Sequence, residues 1–362
     1  MSHFIQLHLL TSYPPANLNR DDLGRPKTAL MGGAKRLRVS SQSLKRTWRT
    51  SDLFEEALAG HVGTRTKRLG KEAYGQLVEK GVKTKTAAAS AKKIAGVFGK
   101  LRKAGKDEAH EFEIEQLVHV GPEEREAVSQ LIATLVAEGR EPEGDELELL
   151  RHRPAAADVA LFGRMLAAVP KYNVDAACQV SHAITVHAAE VEDDYFAAVD
   201  DLNMGDEDRG AAYIDEAGFG AGLFYTYVCI DCQQLVENLN NNQELADKAI
   251  AALVEAAVKT SPKGKQNSFG SRARASYVLA EKGGQQPRSL SIAYLRPVNG
   301  QDQSLDAIQR LEAQAQAFDN AYGAGADSRF IVSAEPAYSA TQLTGNARQG
   351  SLEELLAFLR DQ

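Results

Sequence analysis

Apolar and polar positions alternate along this chain in two regimes, and the spacing in each predicts its elements. Residues 4–9 (FIQLHL) alternate with period two and open the chain as a strand with two distinct faces. The stretch 11–39 reads as a loop, longer than compact domains usually carry, and loops of that length tend to be functional. A short helix over 41–49 follows. Leu44 and Trp48 (i, i+4) point into a core, while Gln42, Lys45 and Arg49 (i, i+3, i+7) share another face. From 52 to 150, β-branched and aromatic runs vanish, and Ala, Glu, Lys and Leu dominate. Helical spacing recurs there around 71–80, 87–102, 108–117 and 122–138, with a polar loop at 139–146 (GREPEGDE). Strand patterns resume at 157–162, 179–188, 223–232, 274–279, 290–294 and 330–334. Helices are predicted over 245–258, 304–322 and 352–360. Strands drawn from both ends of the chain around a helical insertion give an α+β fold. No repeat at solenoid periods is present.

Charge sharpens this picture. The chain has 362 residues, 43% of them apolar, enough for two or three lobes with a sizeable core. Its net charge of −7 conceals an asymmetry: residues 1–106 carry +15 and the remaining 256 carry −22. Binding follows the local field rather than the mean, so a low overall isoelectric point does not exclude nucleic acid. Residues 18–49 alone pack nine Lys/Arg against two Asp and include the pair Gly32-Gly33. A basic, Gly-containing loop feeding a helix capped near Ser40-Ser41 suits a polyphosphate backbone. A chain basic at one end and acidic at the other also favours head-to-tail contact between copies.

The most acidic stretch, 190–216, holds 11 Asp/Glu and one basic residue, Arg209, and lies between two strands as an extended arm. Tyr195-Phe196, Leu202 and Met204 interrupt its acids and could wedge against bases. Cys229 and Cys232 form a C-x-x-C, but on one strand they face opposite sides and cannot jointly hold zinc. His182 and His187, five apart on a strand, are no metal pair for the same reason. Nucleotide-binding P-loop, serine-elbow and zincin motifs are absent, so no catalytic residue, metal or cofactor is assigned. Asp21-Asp22, beside Arg20, are the one suggestive acidic pair, readable as a magnesium-holding site or as a turn orienting Arg20. Three Cys in a chain of this size, with no secretory pattern and no run long enough to span a membrane, predict a cytoplasmic setting.

Taken in order, several motifs resemble one family. They are L-N-R-D-D at 18–22, Lys27, the G-G followed by basic residues, and R-V-S-S-Q-S-L-K-R at 38–46. Further matches are G-R-M at 163–165, S-H-A-I-T-V-H at 181–187, A-V-D-D-L at 198–202, the G-x-F-Y-x-Y run at 222–227 and G-K-Q at 264–266. This set is similar to the backbone subunit of Cascade, the type I-E CRISPR surveillance complex. The matches run from the first residue to about 270; the helical insertion and the C-terminal third agree only in general character.

The resemblance implies a hand-shaped, non-enzymatic subunit. An RRM-like (ferredoxin-like) antiparallel palm would comprise 1–51, 151–189 and 222–362, with helical fingers at 52–150 and a thumb arm at 190–221. Copies would polymerise head to tail along a CRISPR guide RNA beside other Cascade subunits, presenting the guide for pairing with a target DNA strand. Carried over by position, Arg20, Lys27, Ser40, Gln42, Lys45 and Arg49 would hold guide phosphates and riboses. Gly163, Arg164 and Met165 would lie against the RNA, Met165 packing on bases, and Lys265 would touch nucleic acid from a flexible loop. Leu202 and Met204 would sit in the base-displacing thumb. Ordinary RRM domains stack bases on sheet aromatics, and no such motif is found here, so contact is expected from loops and thumb. Two other classes compete: a metal-dependent RNase of the type III backbone kind using Asp21 or Asp22, and a protein-only structural polymer.

Overall fold

A computed structural model of the chain describes residues 3–103, 110–198, 213–344 and 347–360. It falls into two compact units, one of residues 1–54, 180–229 and 251–362, the other of 55–179 and 230–250. In chain order the strands are β1 (Phe4–Ala16), β2 (Thr28–Met31), β3 (Ala34–Val39), β4 (Thr64–Thr66), β5 (Val118–Val120) and β6 (Cys178–Val180). They continue with β7 (Ala183–Thr185), β8 (Glu192–Ala198), β9 (Tyr213–Asp231), β10 (Ala275–Gly283), β11 (Ser328–Ser333) and β12 (Ala347–Gln349). The first six helices are α1 (Ser41–Arg49), α2 (Asp52–Ala57), α3 (Leu69–Glu79), α4 (Thr84–Phe98), α5 (Pro122–Glu138) and α6 (Ala157–Phe162). The others are α7 (Cys232–Asn238), α8 (Gln243–Lys259), α9 (Gln266–Phe269), α10 (Gln303–Tyr322) and α11 (Leu352–Arg360). The class is α+β.

The first unit is built on a sheet ordered β12-β11-β10-β1-β9-β7-β3-β2, with β8 also pairing β9. The β1–β10, β10–β11, β2–β3, β3–β7, β7–β9 and β8–β9 pairings are antiparallel. β11–β12 is parallel, which corrects the expectation of a wholly antiparallel sheet. β1 is central and buried on both faces from Ile5 to Thr11, so the period-two pattern of its start does not mark a solvent face. Ile5, Leu7 and Leu9 fill one side. On the other, Gln6 accepts hydrogen bonds from the Tyr227 hydroxyl and the Arg288 N–H, and His8 lies between Tyr225 and Glu281. Polar residues are tolerated there because each finds a partner. An apolar cluster from Leu10, Tyr225, Tyr277 and Ile331 packs with Ile308, Leu311 and Ala315 of α10.

Three expectations for this unit are revised. The long loop is largely strand: β1 runs on to Ala16, and β2 and β3 pair from Thr28↔Leu37 to Met31↔Ala34. Gly32 and Gly33, both at positive φ (59° and 75°), make the tight turn of that hairpin. Residues 291–294 form a 3₁₀ turn instead of a strand, because Tyr294 is drawn inward and its hydroxyl bonds the Ala307 carbonyl. The strand predicted over 179–188 is broken at Ser181-His182, between β6 and β7.

The second unit has its own core. Ala87, Ile94, Ala95 and Phe98 of α4 meet Leu69, Ala73 and Leu77 of α3 and Val128, Leu131, Ile132 and Leu135 of α5. Pro122 at the first turn, Glu124 accepting the Gly121 N–H at 2.9 Å and Gly139 at φ 65° fix the limits of α5. The helix expected at 108–117 is not found over its described part, 110–117, which leads into β5. Residues 157–162 form α6 where a strand was expected; a short apolar run does not distinguish the two, and Gly163 at φ 80° ends the helix. Cys232 also departs from expectation: β9 stops at Asp231, whose carboxylate accepts the Gln234 N–H and starts α7. Among the described residues no helix is long and apolar enough to cross a membrane.

Candidate nucleic-acid interface

The start of α1 gathers the first unit's positive charge. Ser40 is extended (φ −69°, ψ 146°), and its hydroxyl accepts the Ser43 N–H at 3.4 Å, so the predicted cap is present. The Ser40 N–H donates to Asn19 Oδ1 at 2.9 Å, and the Asn19 carbonyl accepts the Lys27 N–H at 2.8 Å. The Arg38 N–H in turn donates to the Lys27 carbonyl at 2.8 Å. These bonds hold Lys27 and Arg38 beside the helix N-terminus, where the first turn contains no acid. His182 reports the resulting field. Its Nδ1 accepts the Ser41 N–H at 3.3 Å and lies 3.2 Å from the Arg38 guanidinium. Partial burial, then the charges of Arg38 and Lys27, hold its pKa below the ordinary 6.5. A helix N-terminus flanked by cations that discourage a further proton is a favourable seat for an anion.

Along α1 the predicted division of faces is present. Leu44 and Trp48 are buried, Gln42 is exposed, and Lys45 and Arg49 are partly exposed. Ser40 is mostly buried as the cap. Arg20 is exposed and bridges to Pro26 in the preceding loop, and Lys27 is half-buried. Asn17 ties that loop down, its Nδ2 donating to the Gly24 and Gly218 carbonyls at 2.9 and 2.8 Å. Asp21 Oδ1 accepts the Leu23 and Arg25 N–H groups, closing a turn in that loop. Among the described residues no three His, Cys, Asp or Glu side chains gather as metal ligands, and all three cysteines are buried free thiols.

Not every cation in the basic block faces solvent. Arg36 is fully buried, donating to the Thr185 and Tyr294 carbonyls at 2.9 and 2.8 Å. Arg25 reaches the base of the acidic arm and pairs with Asp193 at 2.8 Å. That arm begins as a hairpin in which β8 pairs β9 from Glu192↔Phe219 to Ala198↔Tyr213. Leu202 and Met204 lie outside the described residues.

Lys265 joins the same neighbourhood from a distant part of the chain. A Cβ on Gly264 would stand 2.2 Å from the Leu18 carbonyl oxygen, so glycine lets the 263–266 backbone lie directly on the root of the basic loop. Lys265 itself has φ 43°. Gly218, Gly220 and Gly222 do the same along one face of β9, where added Cβ atoms would meet Pro26, Leu37 and Thr185 with His187. Sequence reading registered only the last of the three; their i, i+2, i+4 spacing was the available signal.

Gly163, Arg164 and Met165 belong to the second unit. Arg164 is buried and bonds both carboxylate oxygens of Glu124 at 2.8 Å, together with the His119, Arg151 and Tyr172 carbonyls. Its guanidinium is fully occupied inside the protein. Met165 is 75% exposed, a large apolar side chain without cover, beside the similarly open Leu117.

Comparison with known proteins adds independent findings. Residues 5–357 match the family model described as CT1975-like protein. A chain of a solved "CRISPR RNA-guided surveillance complex, pre-nicking" is similar at 30% identity and TM-score 0.84, covering 98% of this chain and 99% of that one. A chain of a second "CRISPR RNA-guided surveillance complex" is similar at 27% identity and TM-score 0.74, again over 98% and 99%. No curated protein matches the chain. With nearly its whole length matched by the family model, the chain belongs to the CT1975-like protein family.

Proposed function

We propose that this protein is the backbone subunit of a Cascade-type CRISPR surveillance complex, non-enzymatic and polymerising head to tail along the guide RNA. On this reading residues 1–51, 151–189 and 222–362 are the RRM-like palm, 52–150 the fingers and 190–221 the thumb. The observation that carries it is the convergence of Lys27, Arg38 and the N-terminus of α1 on one spot beside His182. The end-to-end similarity to chains of RNA-guided complexes supports the same partner. Arg20, Lys27, Gln42, Lys45, Arg49 and Lys265 hold phosphates and riboses, Ser40 shapes the helix start, and exposed Met165 packs on bases. Arg164, bonded to Glu124 and to three carbonyls, is a structural brace of the second unit. The thumb, with Leu202 and Met204, displaces a base at intervals, and the rest of the guide stays available to a target DNA strand. Binding by phosphate contact makes affinity fall steeply with salt, by about 0.7 in log–log slope per contact on a single strand.

The test is charge reversal of Lys45 and Arg49 together, read by native mass spectrometry on RNAs of increasing length. The reading expects loss of length-dependent assembly. Unchanged assembly, or polymers that survive nuclease treatment without RNA, would overturn it. Regular cleavage of a complementary RNA in magnesium, lost on Asp21→Ala or Asp22→Ala, would make the protein an RNase instead.

A further inference from the structure

The far end of α1 opens into a second basic site. A cleft of about 590 Å³ lies between the residues that follow the helix, Ser51–Leu53, and the segment 259–272. Lys263, Lys265 and Arg272 line it, with Lys259 at its edge held by Glu255 at 2.5 Å. Asp52 is its one acid. Neither Lys265 nor Arg272 pairs with a carboxylate among the described residues, and Lys263 Nζ donates to the Thr50 carbonyl at 3.3 Å while remaining exposed. Gln266, also in the wall, has a buried Nε2 with no acceptor. Unused donors, unpaired cations and a volume beyond a single ion describe a receptor for an extended polyanion.

Its position decides which one. α1 has nine residues, so its two ends stand about 13 Å apart at ~1.5 Å per residue. Gln42, Lys45 and Arg49 run along the face between them. We infer that the cleft is a second phosphate subsite, in which Lys263, Lys265, Arg272 and the Gln266 amide grip the same RNA strand that enters at Lys27 and Arg38. The subsite rests on the guide-binding reading and extends it from the helix start to the segment 259–272.

The experiment is the salt dependence of single-stranded RNA binding to the full chain, without DNA, for Lys263→Ala/Arg272→Ala and for Lys45→Ala/Arg49→Ala. Circular dichroism checks that each variant is folded, and Lys263→Arg serves as the conservative control. The cleft variant is expected to lower the slope by about 1.4, two contacts at ~0.7 each, with the control near the parent. Gln266→Glu, which places an anion in the wall, should weaken binding without unfolding the protein. If the cleft variant leaves slope and affinity unchanged while the helix variant lowers both, the subsite is refuted and guide binding stands. If neither variant changes RNA binding, both readings fall. A loss seen only after complementary DNA is added would assign the cleft to the target strand, and would also overturn the inference.

Discussion

Replacing Arg164 by methionine separates a scaffold role from an RNA contact. The guanidinium is buried against Glu124 and supplies donors to the His119, Arg151 and Tyr172 carbonyls. Removing one partner of such a pair leaves a buried carboxylate without its counter-charge, at a cost of about 3–5 kcal/mol. Glu124 would keep the Gly121 and Arg151 N–H groups at 2.9 and 2.8 Å, which places Arg164→Met near the lower end, about 3 kcal/mol. Against the ~5–15 kcal/mol that holds a typical fold, this is a large loss. At ~2–4 °C per kcal/mol it lowers the melting temperature by about 6–12 °C. Adding Glu124→Gln removes the stranded charge and keeps one acceptor oxygen, enough for the Gly121 or the Arg151 N–H but not both, so the double variant should still melt above the single one. The assay pairs scanning calorimetry with RNA affinity measured well below the transition, where affinity should match the parent. Weaker RNA binding by Arg164→Met at an unchanged melting temperature would refute this reasoning and put the side chain on the ligand.

Three further outcomes follow from the geometry. An RNA phosphate at the start of α1 would offset the Lys27 and Arg38 fields and raise the depressed pKa of His182 back toward its ordinary 6.5, so RNA affinity should increase as pH falls below 6.5. Binding titrations across pH check this, and His182→Gln should flatten the profile. Gly264→Ala drives a Cβ into the Leu18 carbonyl and should cost about 1–3 kcal/mol. Hydrogen exchange should then show faster opening across 260–272, and no change there would count against the packing argument. His8 is buried between Tyr225 and Glu281, and burial, outweighing Glu281, keeps its pKa below 6.5. The unfolded chain therefore takes up a proton that the folded one resists, so stability is full above pH 6.5 and declines as pH falls beneath it. Glu281, pushed up by burial but held below 4.5 by hydrogen bonds from His8 and Arg288, loses its contribution only at lower pH. Melting curves between about pH 5 and 7 should be less steep in pH for His8→Gln than for the parent, with His3 and His182 keeping the remainder.

Local spacing was enough to fix several elements. Leu44 and Trp48 at i, i+4 placed the inner face of α1, Ser40 its cap, and helical spacing the extent of α5, because helix periodicity and capping are decided within one or two turns. The order of motifs from Leu18 to Gln266 also carried a family resemblance, and the CT1975-like protein family model matches residues 5–357. Tertiary structure decided what spacing leaves open. Gly32-Gly33 satisfies both a phosphate loop and a hairpin turn, and only the pairing of β2 with β3 selects the turn. A short apolar run such as 157–162 fits strand or helix alike until its neighbours are known. Nine cations in 18–49 look equivalent on the page, yet burial takes Arg36, an acidic arm takes Arg25, and Lys27 and Arg38 remain at the helix end. His182 meets the Ser41 N–H and Gly264 lies on the Leu18 carbonyl, contacts between residues far apart in the chain that helix or strand spacing does not encode.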